Sequence, residues 1–230
     1  MSATAFGFNS EADTVNGWED DDARRVLGCD GCVVDYLRGV RRYNNRDARI
    51  KEKEEAMEQA HELALIALDP GGTTGWCVMV IGTEALLNPE MRILSSIALY
   101  TFGEIKGNEH EQLLEIENML DAWPGAALVR EDFILRTHSK AREVLSPVRL
   151  GFGIDHLLYL RGKGAFVQQP AMAKTTATDE RLRAWGLYRP GSDHARDATR
   201  HAITFARRAK DNKKLLVSAW PHLKNQVAIR

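Results

Sequence analysis

The sequence predicts an α/β fold in which a mixed sheet of five strands is flanked by helices. Three observations point there. Short apolar runs at 63–68, 76–81 and 126–129 give out in turn residues or acids, the habit of buried strands. Longer amphipathic stretches at 108–123, 139–159 and 193–210 alternate with them. Acids recur where strands end and where the last helix begins: Asp69, Glu131 with Asp132, and Asp193 with Asp197.

The elements follow in order. Residues 1–20 are a polar, acidic tail. Residues 21–43 and 45–61 read as two helices, the second densely charged and so solvated or paired with another subunit. Cys29 and Cys32 lack the second ligand pair a zinc site requires and read as small thiols in a turn. The run 63–68 is a buried strand ending in Asp69; Pro70, Gly71, Gly72 and Gly75 then turn the chain back into a paired strand at 76–81. A third strand spans 93–102. The helix 108–123 carries Leu113, Leu114, Ile116, Met119 and Leu120 and is stopped by Pro124 and Gly125. A fourth strand runs into Glu131 and Asp132. The stretch 139–159 is helical, with a break allowed near Pro147, Gly151 and Gly153. A fifth strand at 165–169 precedes a loop at 170–174. Thr178 caps a helix to 185, and the last helix spans 193–210. Residues 215–230 form a tail with no assigned place. The domain plan is 1–61 accessory, 62–212 the α/β domain and 213–230 a C-terminal tail.

At 230 residues, with 44% hydrophobic and 27% charged, the composition is that of a globular domain with an appendage. No apolar run approaches the roughly 20 residues of a membrane span. The opening residues lack the basic and apolar regions of a secretory signal, so a cytoplasmic protein is expected. The odd count of three cysteines argues against a disulfide framework. Net charge is −1, but unevenly spread. Residues 1–61 hold 9 Lys and Arg against 13 Asp and Glu; residues 62–132 hold 3 against 12; residues 133–230 hold 19 against 7. A basic C-terminal part around an acidic cluster suits a polyanion held over cations. Arginines lining solvated helix faces are the plainer account.

A carboxylate at the end of a central strand is costly if unpaired. Asp69 therefore binds a metal, faces a phosphate-bearing ligand across the glycine turn, or caps the turn. The ordered set formed by Leu68-Asp69-Pro70-Gly71, Arg130-Glu131-Asp132-Phe133 and His194-Ala195-Arg196-Asp197-Ala198 resembles the ribonuclease H-like superfold. Its nearest likeness is to the RuvC-like Holliday junction resolvases, particularly the phage-borne forms. The resemblance spans 63–210 and leaves 1–60 as an addition.

That resemblance implies a metal-dependent endonuclease that resolves branched DNA by hydrolysing phosphodiesters to 5′-phosphate and 3′-hydroxyl ends. It implies Asp69, Glu131, His194 and Asp197 as catalytic and metal-binding residues, with Asp193 and Asp132 as neighbours competing for those positions. Hard oxygen ligands suit Mg²⁺ or Mn²⁺, and two ions about 4 Å apart activate a water and stabilise the leaving oxygen. Phe133, Arg136, Lys140, Arg142, Lys174 and Arg196 are candidates for contact with DNA, as are Arg149, Arg181, Arg183 and Arg200. The resemblance also implies a homodimer, with helices 108–123 and 139–159 as candidate surfaces. Other readings are a ribonuclease H, another nuclease of the same superfold, an actin-like or sugar-kinase-like ATPase using the glycine turn for phosphates, and an inactive DNA-binding scaffold.

Overall fold

A computed structural model of the chain describes residues 48–53, 55, 56, 61–133 and 142–228. The expected helix at 21–43, most of that at 45–61 and the Cys29/Cys32 pair lie outside the described residues. The sheet and its helices belong to a unit spanning Ile50–Arg230. In chain order they are β1 (Glu62–Asp69), β2 (Thr74–Gly82), α1 (Thr83–Leu87), β3 (Ile97–Ile105), α2 (Glu109–Ala122), β4 (Ala127–Glu131) and α3 (Arg142–Tyr159). Then follow β5 (Phe166–Gln168), α4 (Pro170–Thr176), α5 (Asp179–Ala184), α6 (Asp193–Asp211), α7 (Lys213–Ala219) and α8 (Lys224–Ala228). The sheet order is β3-β2-β1-β4-β5. The first three strands are antiparallel neighbours, whereas β1, β4 and β5 run parallel. The mixed five-stranded sheet expected from the sequence is therefore present.

The unbroken apolar run of β1 has a simple cause: both faces of this strand are buried. Leu63, Leu65 and Ala67 join one core with Ala198, Ala202, Phe205 and Ala206 of α6. Ala64, Ile66 and Leu68 join a second core with Ile116 and Leu120 of α2 and Ile154 and Leu158 of α3. In α2, the Asn108 side chain accepts from the His110 and Glu111 amides while Glu111 reaches back to the Asn108 amide, a reciprocal cap.

Three expectations need correction. The third strand begins later, at Ile97, because Ile93–Ser96 forms a 3₁₀ turn that tucks Ile93 into the core. The expected loop at 170–174 is helical: Pro170 occupies the first turn, where its missing N–H costs nothing, and Ala173 is buried. The expected C-terminal tail packs against the core over its described residues, 213–228. Leu216, Trp220 and Leu223 are buried, and the Trp220 indole donates to the Ala64 carbonyl at 3.1 Å. Pro147 is accommodated inside α3, which runs on without ending there.

Candidate active site

Strand alternation decides which acids can meet. In β1, Leu63, Leu65 and Ala67 face α6, so Asp69 at the strand end faces it too. In β4, Ala127 and Val129 face α6 and Leu128 the other core, so Glu131 lies on the α6 side. Arg130 takes the opposite face, where it makes a two-pronged pair with Asp155 of α3 at 3.2 and 2.9 Å. Because β1 and β4 are parallel, with Leu68 level with Arg130, Asp69 and Glu131 emerge at the same end of the sheet.

The start of α6 is brought to Asp69 by a glycine. Gly75 pairs with Asp69 across the β1–β2 ladder. A Cβ at Gly75 would collide with the His194 carbonyl and stand 2.7 Å from the Ala195 amide nitrogen. Only the bare glycine backbone lets α6 begin there. From that position the His194 Nδ1–H donates to Asp69 Oδ2 at 2.8 Å. Asp193 turns outward to pair with Arg196, so of the two neighbours it is His194 that reaches Asp69. The turn beneath is braced from α2. Buried Gln112 accepts from the Thr74 hydroxyl at 2.5 Å and donates to the carbonyls of Gly72 and Gly107 at 3.2 and 3.0 Å.

Electrostatics follow from this crowding. Burial pushes the Asp69 carboxyl up to about 6, the Glu131 charge adds to that push, and the His194 hydrogen bond opposes it. For His194, burial disfavours the imidazolium. The Asp69 hydrogen bond, with the charges of Asp69, Glu104 and Asp197, outweighs it and raises the pKa above the usual histidine value. Glu104 is held in turn by the Ser192 hydroxyl at 2.9 Å.

Asp197, one turn along α6, has its carboxylate turned to Arg200 and to Lys174 Nζ at 3.1 Å. Arg200 bridges on to Asp179 and to the Ala177 carbonyl. A cleft of about 430 Å³ opens beside Asp197, between Lys174, Thr178, Arg196 and Arg200. Lys174 is exposed at its edge. Arg196 is largely buried, tied to Asp193 and the Arg189 carbonyl and lying 5.1 Å from the Tyr188 ring centre. Arg183 covers the same ring at 4.0 Å, Arg181 caps the 175 and 176 carbonyls, and Arg149 pairs with Glu109 at 3.7 Å. Phe133 and Asp132 are half-buried beyond the end of β4. Arg136 and Lys140 lie outside the described residues, as does the side chain of Arg142.

Two side chains escaped the sequence reading. His201 is fully buried; its Nε2–H donates to Glu131 Oε2 at 2.7 Å, and its Nδ1 lies 3.0 Å from Gln168 Oε1. Residues 194, 197 and 201 share one helical face, and that spacing is the signal that marks His201. Gln168 carries no sequence signal; only the β4–β5 register puts it beside Glu131.

Among the described residues no three His, Cys, Asp or Glu side chains are drawn close enough together to hold one ion. They form imidazole–carboxylate pairs, Asp69 with His194 and Glu131 with His201. The donor chemistry nonetheless fits a hard divalent cation. Asp69 and Glu131 are neighbouring acids on one face, and their mutual repulsion helps raise the Asp69 pKa.

No protein-family model matches the chain, and no curated protein matches it. Among solved structures, T. thermophilus RuvC in complex with a Holliday junction substrate is similar at a TM-score of 0.50 and 17% sequence identity, over 65% of this chain and 96% of that one. A second structure, of Thermus thermophilus RuvC, gives a TM-score of 0.46 and 16% identity over the same shares. At such identity the likeness speaks for the fold: this chain has a RuvC-like mixed five-stranded sheet flanked by helices. No described helix is long and apolar enough to cross a membrane.

Proposed function

We propose that this chain is a divalent-metal-dependent endonuclease that resolves Holliday junctions and related branched DNA, leaving 5′-phosphate and 3′-hydroxyl ends. The observation that carries the reading is the meeting of Asp69, Glu131 and the His194 turn of α6 at one end of one sheet face, with Asp197 a turn further on. The RuvC-like fold supports it, the neighbour of that fold having been seen with a Holliday junction.

Asp69, Glu131, Asp197 and His194 would hold Mg²⁺ or Mn²⁺, which supplies Lewis acidity and an acidified water at the scissile phosphate. The protein's own part is orientation and proton movement. Asp69 takes the Nδ1–H of His194 and fixes the tautomer, leaving Nε2 of a half-exposed ring to accept a proton from the attacking water or to act as a ligand. Asp197 is held by Lys174 and Arg200; Lys174, exposed at the edge of the cleft, would be free to pair with a DNA phosphate, and Asp197 would be among the residues that hold the cation. Phe133, Arg136, Lys140, Arg142 and Arg196 remain candidates for contact with DNA. The exposed apolar stripe of Val148, Phe152 and Tyr159 on α3 supports a homodimer.

The test is incubation with Mg²⁺ or Mn²⁺ and a labelled four-way junction, duplex, flap and RNA–DNA hybrid. The expected result is metal-dependent nicking of the branched DNA, abolished by Asp69→Asn with binding retained. Cleavage confined to the hybrid moves the assignment to a ribonuclease H. ATP hydrolysis without nicking overturns the nuclease reading.

A further inference from the structure

On the reading of this acid cluster as a metal-dependent nuclease site, we propose that His201 is the positioning residue for Glu131. It occupies one carboxylate oxygen of Glu131 and thereby reserves the other for the cation. The geometry is direct: Nε2 of His201 lies 2.7 Å from Glu131 Oε2, and Nδ1 lies 3.0 Å from Gln168 Oε1. Gln168 is itself anchored beside Glu131, its main-chain carbonyl accepting from the Asp132 amide at 2.7 Å.

Burying an imidazole is costly unless both nitrogens find partners. With Nε2–H given to Glu131, Nδ1 is an acceptor, and the Gln168 amide serves it when turned to present its N–H. His201 has none of its surface exposed, in a helix whose neighbouring buried positions are Ala198, Ala202 and Phe205. An apolar residue would fill that place without needing Glu131 or Gln168. Gln168 Nε2 is buried with no other partner among the described residues, and the turned amide gives that N–H to His201 Nδ1.

His194 and His201 stand two helical turns apart, each bonded to one carboxylate at a strand end. The half-exposed His194 can meet water or substrate; His201 cannot, so it acts only through Glu131. A glutamate at a strand end has free torsions, and fixing one oxygen by a hydrogen bond leaves the other aimed, the usual task of groups that orient a ligand from behind.

The experiment uses the full-length chain, with metal binding measured in the absence of DNA. Mn²⁺ binding is followed by the electron paramagnetic resonance signal of free Mn²⁺, with melting temperatures and junction nicking measured in parallel. His201→Ala is expected to weaken Mn²⁺ binding about tenfold or more, with nicking partly recovered at high Mn²⁺. His201→Gln keeps an N–H for Glu131 and is expected to bind within about threefold of the wild-type chain. Gln168→Met, which removes only the outer bond, shifts affinity less and in the same direction.

A folded His201→Ala chain that binds Mn²⁺ as the wild type does, merely melting earlier, overturns the positioning role and leaves the nuclease reading intact. If His201→Ala does not fold, the methionine variant decides: a folded Gln168→Met chain with wild-type Mn²⁺ affinity and nicking overturns the role, and weakened Mn²⁺ binding upholds it. A wild-type chain that binds no Mn²⁺ removes the nuclease reading first and this role with it.

Discussion

At the scale of single residues, Asp69 is where fold and chemistry compete. A buried acid beside another acid is poorly placed for stability and well placed to hold a cation. Its folded pKa of about 6 exceeds the ordinary 3.8, so between those values the folded chain binds a proton that the unfolded chain has lost. Stability from this group is therefore full below about pH 4, falls as pH rises through 6, and is flat above. His194, also raised, contributes stability that is present below its unfolded pKa and lost as pH rises through its folded one. In metal-free protein, Asp69→Asn is expected to gain stability over the wild type as pH rises from 4 to 6.5, reaching about 1–3 kcal/mol. Urea titrations of both chains in EDTA across that range measure it. A difference that does not change with pH refutes the account of Asp69.

At the scale of elements, the site depends on how closely α6 approaches the β1–β2 hairpin. Gly75 permits that approach, and Gln112 of α2 braces the turn before it. Gly75→Ala must push the start of α6 away, breaking the His194–Asp69 bond. We expect a loss of about 1–3 kcal/mol by thermal or chemical melting, the range for overpacking a tight contact. Nicking should fall well below what the remaining folded fraction explains, and wild-type nicking by this variant would show that His194 need not sit there. The element types were readable from the chain. Apolar runs of strand length and the amphipathic 193–210 stretch announced themselves, and Thr178 does cap its helix, accepting from the Arg181 amide. The helix at 170–176 was not readable, because its seven residues bury only Ala173 and leave almost no periodic pattern.

At the scale of the whole molecule, the C-terminal segment closes the core. Trp220 sits under the sheet against Phe205, their ring centres 6.1 Å apart, and its indole bonds to a β1 carbonyl. Trp220→Ala is expected to cost about 3–5 kcal/mol, read as a lower urea midpoint with an unchanged slope. A loss under 1 kcal/mol would return this segment to the status of a tail. On the outer face of α3, Phe152 is 76% exposed beside Val148 and Tyr159, a surface suited to a second copy of the chain. Phe152→Glu should convert a dimer to a monomer in light scattering while leaving the melting temperature of the monomer near that of the wild type. A wild-type chain that is monomeric at all concentrations tested rules out that use of the stripe.

What the chain by itself determined is the alternation of strands and helices and the acids at their ends, because hydrophobic period and turn chemistry are local properties. Asp69 and Glu131 stand out in the sequence for the same reason, each at the point where a short apolar run stops, whereas His194 and Asp197 became candidates only through the family resemblance. What only the tertiary structure decided is the company they keep. His201 and Gln168 behind Glu131, Gly75 under His194, and Arg200 with Lys174 on Asp197 are pairings between distant segments, fixed by strand register and helix packing rather than by any neighbour in sequence.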